Sequence, residues 1–419
     1  MEYNTLTLPN GLRIIHLPSA SPVVFCGYGI GSGTRDELPG EEGMAHFCEH
    51  TTFKGTEHRR AWHILNCLES VGGDLNAFTT KEDTVYYAAI LRDHMARAVD
   101  LLTDIVFHSR YPQAELDKEV EVICDEIESY NDSPSELIYD EFENMLFSGH
   151  PLGHNILGQS DHLRTYRSED ALAFTGRHYR PDNAVFFAYG NLDFNRLTRM
   201  LAKATSDFPP AQPLPERQST PLPDYTPREV IVDRHTHQSH VMIGTRAYSV
   251  HDSRRMALYL LNNILGGPGM NARLNLALRE RHGLVYTVES SMVSYTDTGT
   301  WCIYFGCDPH DVNRCRRLIR HELDRVMQRP LSAVQLAAAK KQIKGQLAVA
   351  CDNRENFALD FAKNYLHYGR EKDPVELFRL IDAITSDDIQ QVAQDLFAPE
   401  HLTTLTYTSD DKGRSKSAK

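Results

Sequence analysis

The stretch Met44–Gly55, MAHFCEHTTFKG, decides how the chain is read. Written as a helix, it puts His46 and His50 four residues apart, so both imidazoles leave one face a turn apart. Two imidazoles placed that way grip one zinc ion at ~2.0–2.1 Å each. Glu49 borders the same face, within reach of a proton on a metal-bound water. Glu41 and Glu42 suit the positive start of such a helix, and Gly55 suits its stop. The order is H-x-x-E-H, the reverse of the commoner H-E-x-x-H zinc helix. A catalytic zinc needs a third protein ligand and one open position. The helix expected to open at Pro112 and run to about Asn131 offers candidates in EVEVICDEIE. There Glu119 and Glu126 stand two turns apart on one face, while Glu121, Asp125 and Glu128 point elsewhere. Spacing does not choose between the pair, and a solvated carboxylate is the ordinary fate of a helical glutamate.

The rest of the chain is ordinary for a globular protein: 419 residues, 41% hydrophobic and 24% charged, enough for two or three domains. A net charge of −13 argues against a nucleic-acid or anionic-membrane partner. It leaves room for an acidic cavity that favours cationic peptides. No apolar run reaches the ~18 residues of a membrane-spanning helix. The opening MEYNTLTLPNGLRIIH lacks the pattern of a secretory signal. The eight cysteines are scattered with no C-x-x-C pair, which reads as reduced and mostly buried thiols. The expectation is a cytoplasmic protein with no membrane partner.

Strands are expected on either side of the Pro9-Asn10-Gly11 turn, at Val23–Ile30, and as a pair at Leu75–Thr80 and Thr84–Leu91. Helices are expected over Ala61–Val71 and from an Asp93 cap through His108. Phe208–Arg228 holds seven prolines and no periodicity. It reads as a semi-rigid linker between near-equal halves. The halves look alike in plan. His240–Gly244 matches Val23–Gly27, Arg254–Leu265 takes the place of the metal helix, and Thr300–Cys307 followed by Pro309–Val326 echoes Thr84–Leu91 followed by Asp93–Val106. The second half has no HxxEH, so the metal belongs to the first. The expected division is 1–208, a linker at 209–228, 229–410, and a disordered polar tail at 411–419.

HFCEH, followed 76 residues after His50 by the second Glu of an E-x-x-V-I-x-x-E helix, resembles the pitrilysin family of inverted zincins. That family includes insulysin and the mitochondrial processing peptidase. NGLRIIHLP, GSGTRDE, GGDLNAFTTKEDTVYY, PLGHNILG, HYRPDN and GNLD also resemble family segments, in order along nearly the whole chain. The resemblance implies an α+β fold of two duplicated domains, each a mostly antiparallel sheet with helices on one face. It implies one zinc ion per chain held by His46, His50 and Glu126, with Glu119 orienting a ligand and Glu49 as general base. LNNILGGPGMNARLNLALRERHGLVY resembles the family segment whose Arg and Tyr, here Arg279 and Tyr286, donate hydrogen bonds to the oxyanion. Asn76, Ala77, Phe78 and Thr79 resemble the strand edge that pairs with substrate backbone.

The implied activity is zinc-dependent endoproteolysis of peptides or unfolded segments. It would occur in a chamber built by a homodimer, or by a pairing with a paralogous chain. Arg279 and Tyr286 would then act in trans. The same family also holds non-catalytic scaffold subunits and processing peptidases with one dedicated substrate. Cys48 is expected to pack rather than ligate, and His235, His237 and His240 to form a solvated loop.

Overall fold

The computed structural model describes residues 1–211 and 220–408. The expected linker therefore falls partly, and the expected tail wholly, outside the described residues. The chain forms two compact units, each assembled from three stretches. The first gathers Met1–Glu128, His154–Pro221 and Val349–Asp373; the second gathers Ser129–Gly153, Leu222–Ala348 and Pro374 onward. A single cut near residue 208 would therefore misplace one segment from each half.

The first unit is built on a sheet of β1 (Asn4–Thr7), β2 (Arg13–Pro18), β3 (Val23–Ile30), β4 (Asp74–Thr79), β5 (Thr84–Leu91) and β6 (Ala184–Gly190). Their spatial order is β1-β2-β6-β3-β5-β4. Only β2 and β6 run parallel; the other neighbours are antiparallel. Side-chain alternation sends successive residues to opposite faces. From β3, Val24, Cys26, Tyr28 and Ile30 face one core. That core also holds residues of α1 (Met44–Thr52), α2 (Ala61–Glu69), α3 (Met95–Phe107) and α4 (Gln113–Asn131).

The opposite face, with Ile15, Leu17, Val85, Val185 and Phe187, is covered by Phe357, Ala358, Phe361, Ala362 and Leu366 of the helix Arg354–Tyr368. Both faces of the sheet are thus buried. This explains why β3 and β6 read as continuous apolar runs. The helix belongs in this unit for that reason, although it is written near the end of the chain.

The second unit repeats the plan. Its strands are β7 (Glu229–Asp233), β8 (Ser239–Ala247), β9 (Val285–Ser294), β10 (Gly299–Cys307) and β11 (Thr403–Thr408), ordered β7-β11-β8-β10-β9. Again one pair, β7 with β11, is parallel and the rest are antiparallel. One face, with Trp301, Ile303 and Phe305, packs on the unit's own helices. The other, with Met242, Tyr304 and Tyr407, is covered by Ile138, Phe142 and Leu146 of α5 (Pro134–Leu146). The expectation of helices on one face therefore gains one covering helix on the second face of each sheet. Asp93 is not a helix cap: a 3-10 turn, Arg92–His94, precedes α3, and the Asp93 carboxylate lies 3.6 Å from Arg92. Among the described residues no helix is long and apolar enough to cross a membrane.

Candidate metal centre

α1 begins after Gly43, whose φ of +93° is a left-handed conformation that favours glycine. The loop Pro151–Gly158 passes so near that a Cβ on Gly43 would lie 2.8 Å from Cα of Gly158. Glu37 accepts from the Gly43 and Ala45 N–H groups at 3.0 and 2.8 Å, and pairs with His154 Nε2 at 2.7 Å. Burial pushes the Glu37 carboxyl up, against the pull of His154 and the two N–H groups. The sequence assigned this end of the helix to Glu41 and Glu42. In the structure Glu41 accepts from the Leu38 N–H and from Arg177, and Glu42 accepts from the Gly40 N–H.

Along α1, His46 and His50 stand with ring centroids 4.6 Å apart. Glu126, on α4, brings Oε2 to 3.9 Å from His46 Nε2 and 3.5 Å from His50 Nε2. One ligand atom from each residue lies within 4.8 Å of the other two. Three ligands of a tetrahedral zinc at ~2.0–2.1 Å would sit about 3.3–3.4 Å apart, so small side-chain rotations close the set. Burial, with His50 adding to it, pushes His46 down to about 3, which leaves its imidazole neutral and able to ligate. These residues fit a zinc ion.

The groups around the three differ sharply. Glu119 places Oε1 3.3 Å from His50 Nδ1, and Oε2 accepts from Lys54 Nζ at 2.6 Å. A carboxylate on the far nitrogen of a ligating histidine fixes its ring and raises its basicity. Burial would raise the Glu119 carboxyl, but His50 and Lys54 together hold it low. Glu49 is buried beside His46 and His50 and accepts from Thr79 Oγ1 at 2.7 Å. Burial is the main reason its carboxyl is raised, opposed by Thr79 and His50 and reinforced by Glu126. Thr79 ends β4, the strand at the edge of the sheet, which pairs on one side with β5. Asn76, Ala77 and Phe78 lie on the same edge strand.

Arg279 and Tyr286 come together in the second unit. Arg279 lies in a π-helical turn, Asn275–Glu280, and its guanidinium sits 5.6 Å from the ring centroid of Tyr286, near the start of β9. Tyr286 is 82% exposed, so its hydroxyl is open to solvent or a ligand. Cys48 packs in the core, where burial raises its thiol well above the ordinary range. His235, His237 and His240 form no metal-binding group among the described residues; His240 is held by the Tyr304 hydroxyl at 2.9 Å. Glu37, His154 and Lys54 are the supporting residues that sequence reasoning missed. All three sit in stretches already singled out, Lys54 in MAHFCEHTTFKG, Glu37 in GSGTRDE and His154 in PLGHNILG.

Comparison with known proteins finds relatives along nearly the whole chain. Residues 15–160 match the family model described as insulinase (peptidase family M16), and residues 166–343 match the model of the peptidase M16 inactive domain. HFCEH falls inside the first match. An uncharacterized zinc protease of Streptomyces coelicolor is 32% identical over 98% of this chain and 90% of its own length. One from Bacillus subtilis is 30% identical over 96% of this chain and 98% of its own. Two crystal structures share the fold. A protease from Helicobacter pylori superposes with a TM-score of 0.88 at 20% identity, covering 97% of this chain and 99% of that one. A peptidase M16 inactive domain from Pseudomonas fluorescens gives 0.87 at 17%, covering 98% of each. With both halves matched in order, the chain belongs to the insulinase family of peptidases, M16.

Proposed function

We propose that the protein is a zinc-dependent endopeptidase acting on peptides and unfolded polypeptide segments. The observation that carries this reading is the convergence of His46, His50 and Glu126 beside the buried Glu49 carboxylate. Zinc bound there supplies an acidified water and a Lewis acid for the scissile carbonyl. Glu49, held by Thr79, takes the water's proton and hands it to the leaving amine. Glu119 and Lys54 keep the His50 ring aimed while this happens. The open edge of β4 offers main-chain groups to an extended peptide, which gives affinity tolerant of sequence. Arg279 and Tyr286 donate to the developing oxyanion. Their exposure in the second unit suits a homodimer in which the pair of one copy serves the metal centre of its partner.

The test is zinc content measured together with cleavage of a quenched peptide, with and without a chelator. Glu49→Gln is expected to keep its zinc and lose about 10²–10⁴-fold in rate. A zinc-loaded wild-type chain that cuts no peptide would instead support a scaffold role. Product mapping on a peptide library separates general degradation from trimming at one site.

A further inference from the structure

We infer that His58, Asp104 and His108 form a second site, for a divalent transition metal, on the segment that leaves α1. Asp104 lies in α3 among residues that build the core, and its side chain is only 4% exposed. Its two oxygens are used differently. Oδ2 accepts from Thr56 Oγ1 at 2.8 Å and from Arg59 Nη1 at 2.5 Å. Oδ1 faces two imidazoles, with His58 Nδ1 at 2.7 Å and His108 Nδ1 at 3.9 Å. One ligand atom from each of the three lies within 4.8 Å of the other two.

Two further features favour a metal over a simple ion-pair knot. The far nitrogen of His108, Nε2, sits 2.9 Å from Asp207 Oδ2, which turns Nδ1 toward Asp104 and makes it a better donor. The charge is also unbalanced. Arg59 pairs with both Asp100 and Asp104, while Asp207 pairs with His108. A dication held by these ligands would offset the carboxylate charge that Arg59 leaves. Two imidazoles and a carboxylate select zinc, cobalt or nickel over magnesium or calcium. The distances of 2.7 and 3.9 Å straddle the ~3.3 Å expected between ligands of a tetrahedral ion, and the His58 ring, 61% exposed, is free to adjust. Occupancy would tie the segment between α1 and α2, which carries Thr56, His58 and Arg59, to α3.

The test counts ions bound per chain after metal-free protein is saturated with Zn2+ or Co2+ and unbound ion is removed. Wild type is expected to hold about two, and His58→Ala about one, with peptide cleavage unchanged. Glu126→Gln, which weakens the first site, is expected to keep an ion that His58→Ala removes. His108→Gln repeats the measurement should His58→Ala fold poorly. The inference is overturned if wild type saturates at one ion that His58→Ala and His108→Gln leave in place, or if both variants still bind two. A wild-type chain whose one ion disappears in His58→Ala would sustain this site while removing the first.

Discussion

Three glutamates stand around His46 and His50, and their surroundings alone tell them apart. Glu49 is raised by burial, which suits a base that must also return its proton. Glu119 is held low by His50 and Lys54 despite burial, which suits a permanently charged brace. Glu126 reaches both Nε2 atoms and suits the metal. Glu119→Gln should therefore weaken zinc binding about 10–100-fold, read by competition with a chelator. Folding should survive, because its partners His50 and Lys54 remain partly exposed. The HxxEH triplet was legible because helical periodicity alone places it. The choice between Glu119 and Glu126 was not, since both share a face and differ only in which histidine nitrogen they meet. Glu37 escaped notice because its acceptor role depends on a chain reversal six to eight residues before its donors. No regular period reports such a contact.

At the scale of elements, strands were read almost to the residue where turn chemistry bounds them, as in β3 and the β4–β5 hairpin. What the sequence did not disclose is which helix covers the second face of each sheet. The helix Arg354–Tyr368 is fastened to the first sheet by more than its aromatic residues. Asp83, fully buried next to β5, pairs with His367 Nε2 at 2.9 Å and Lys363 Nζ at 3.0 Å. Burial alone would raise the Asp83 carboxyl, but His367 and Lys363 together bring it below its ordinary 3.8. A depressed carboxyl contributes stability that is fully present above the unfolded-state value and is lost as pH falls through the folded one. Asp83→Asn should thus cost about 3–5 kcal/mol near pH 7, as when one partner of a buried ion pair is removed. The gap from wild type, read by urea unfolding, should narrow below about pH 4. A gap that stays constant into acid would show that this ion pair does not fasten the helix.

For the whole molecule, the duplication was visible as a weak echo of strand–helix–hairpin–helix, and the matching strand orders of the two sheets show how deep it runs. Only the first copy has the HxxEH motif, and only the second carries Arg279 with Tyr286. That division of labour leads to an experiment on mixed chains. Glu49→Gln and Arg279→Ala copies, each inactive alone, should recover part of the wild-type rate when combined, because in the proposed homodimer one of the two shared centres is then whole. Well-formed mixed dimers with no recovery would place both halves of the chemistry within one chain.

The exchange of segments between the units also sets a schedule. His46, His50 and Glu126 leave the ribosome before Phe357 and Phe361, so the sheet that supports them keeps one oily surface wet until those two have been synthesised. A fragment ending at residue 208 should therefore clump rather than fold, and translation writes the metal ligands well before the surface beneath them can be sealed.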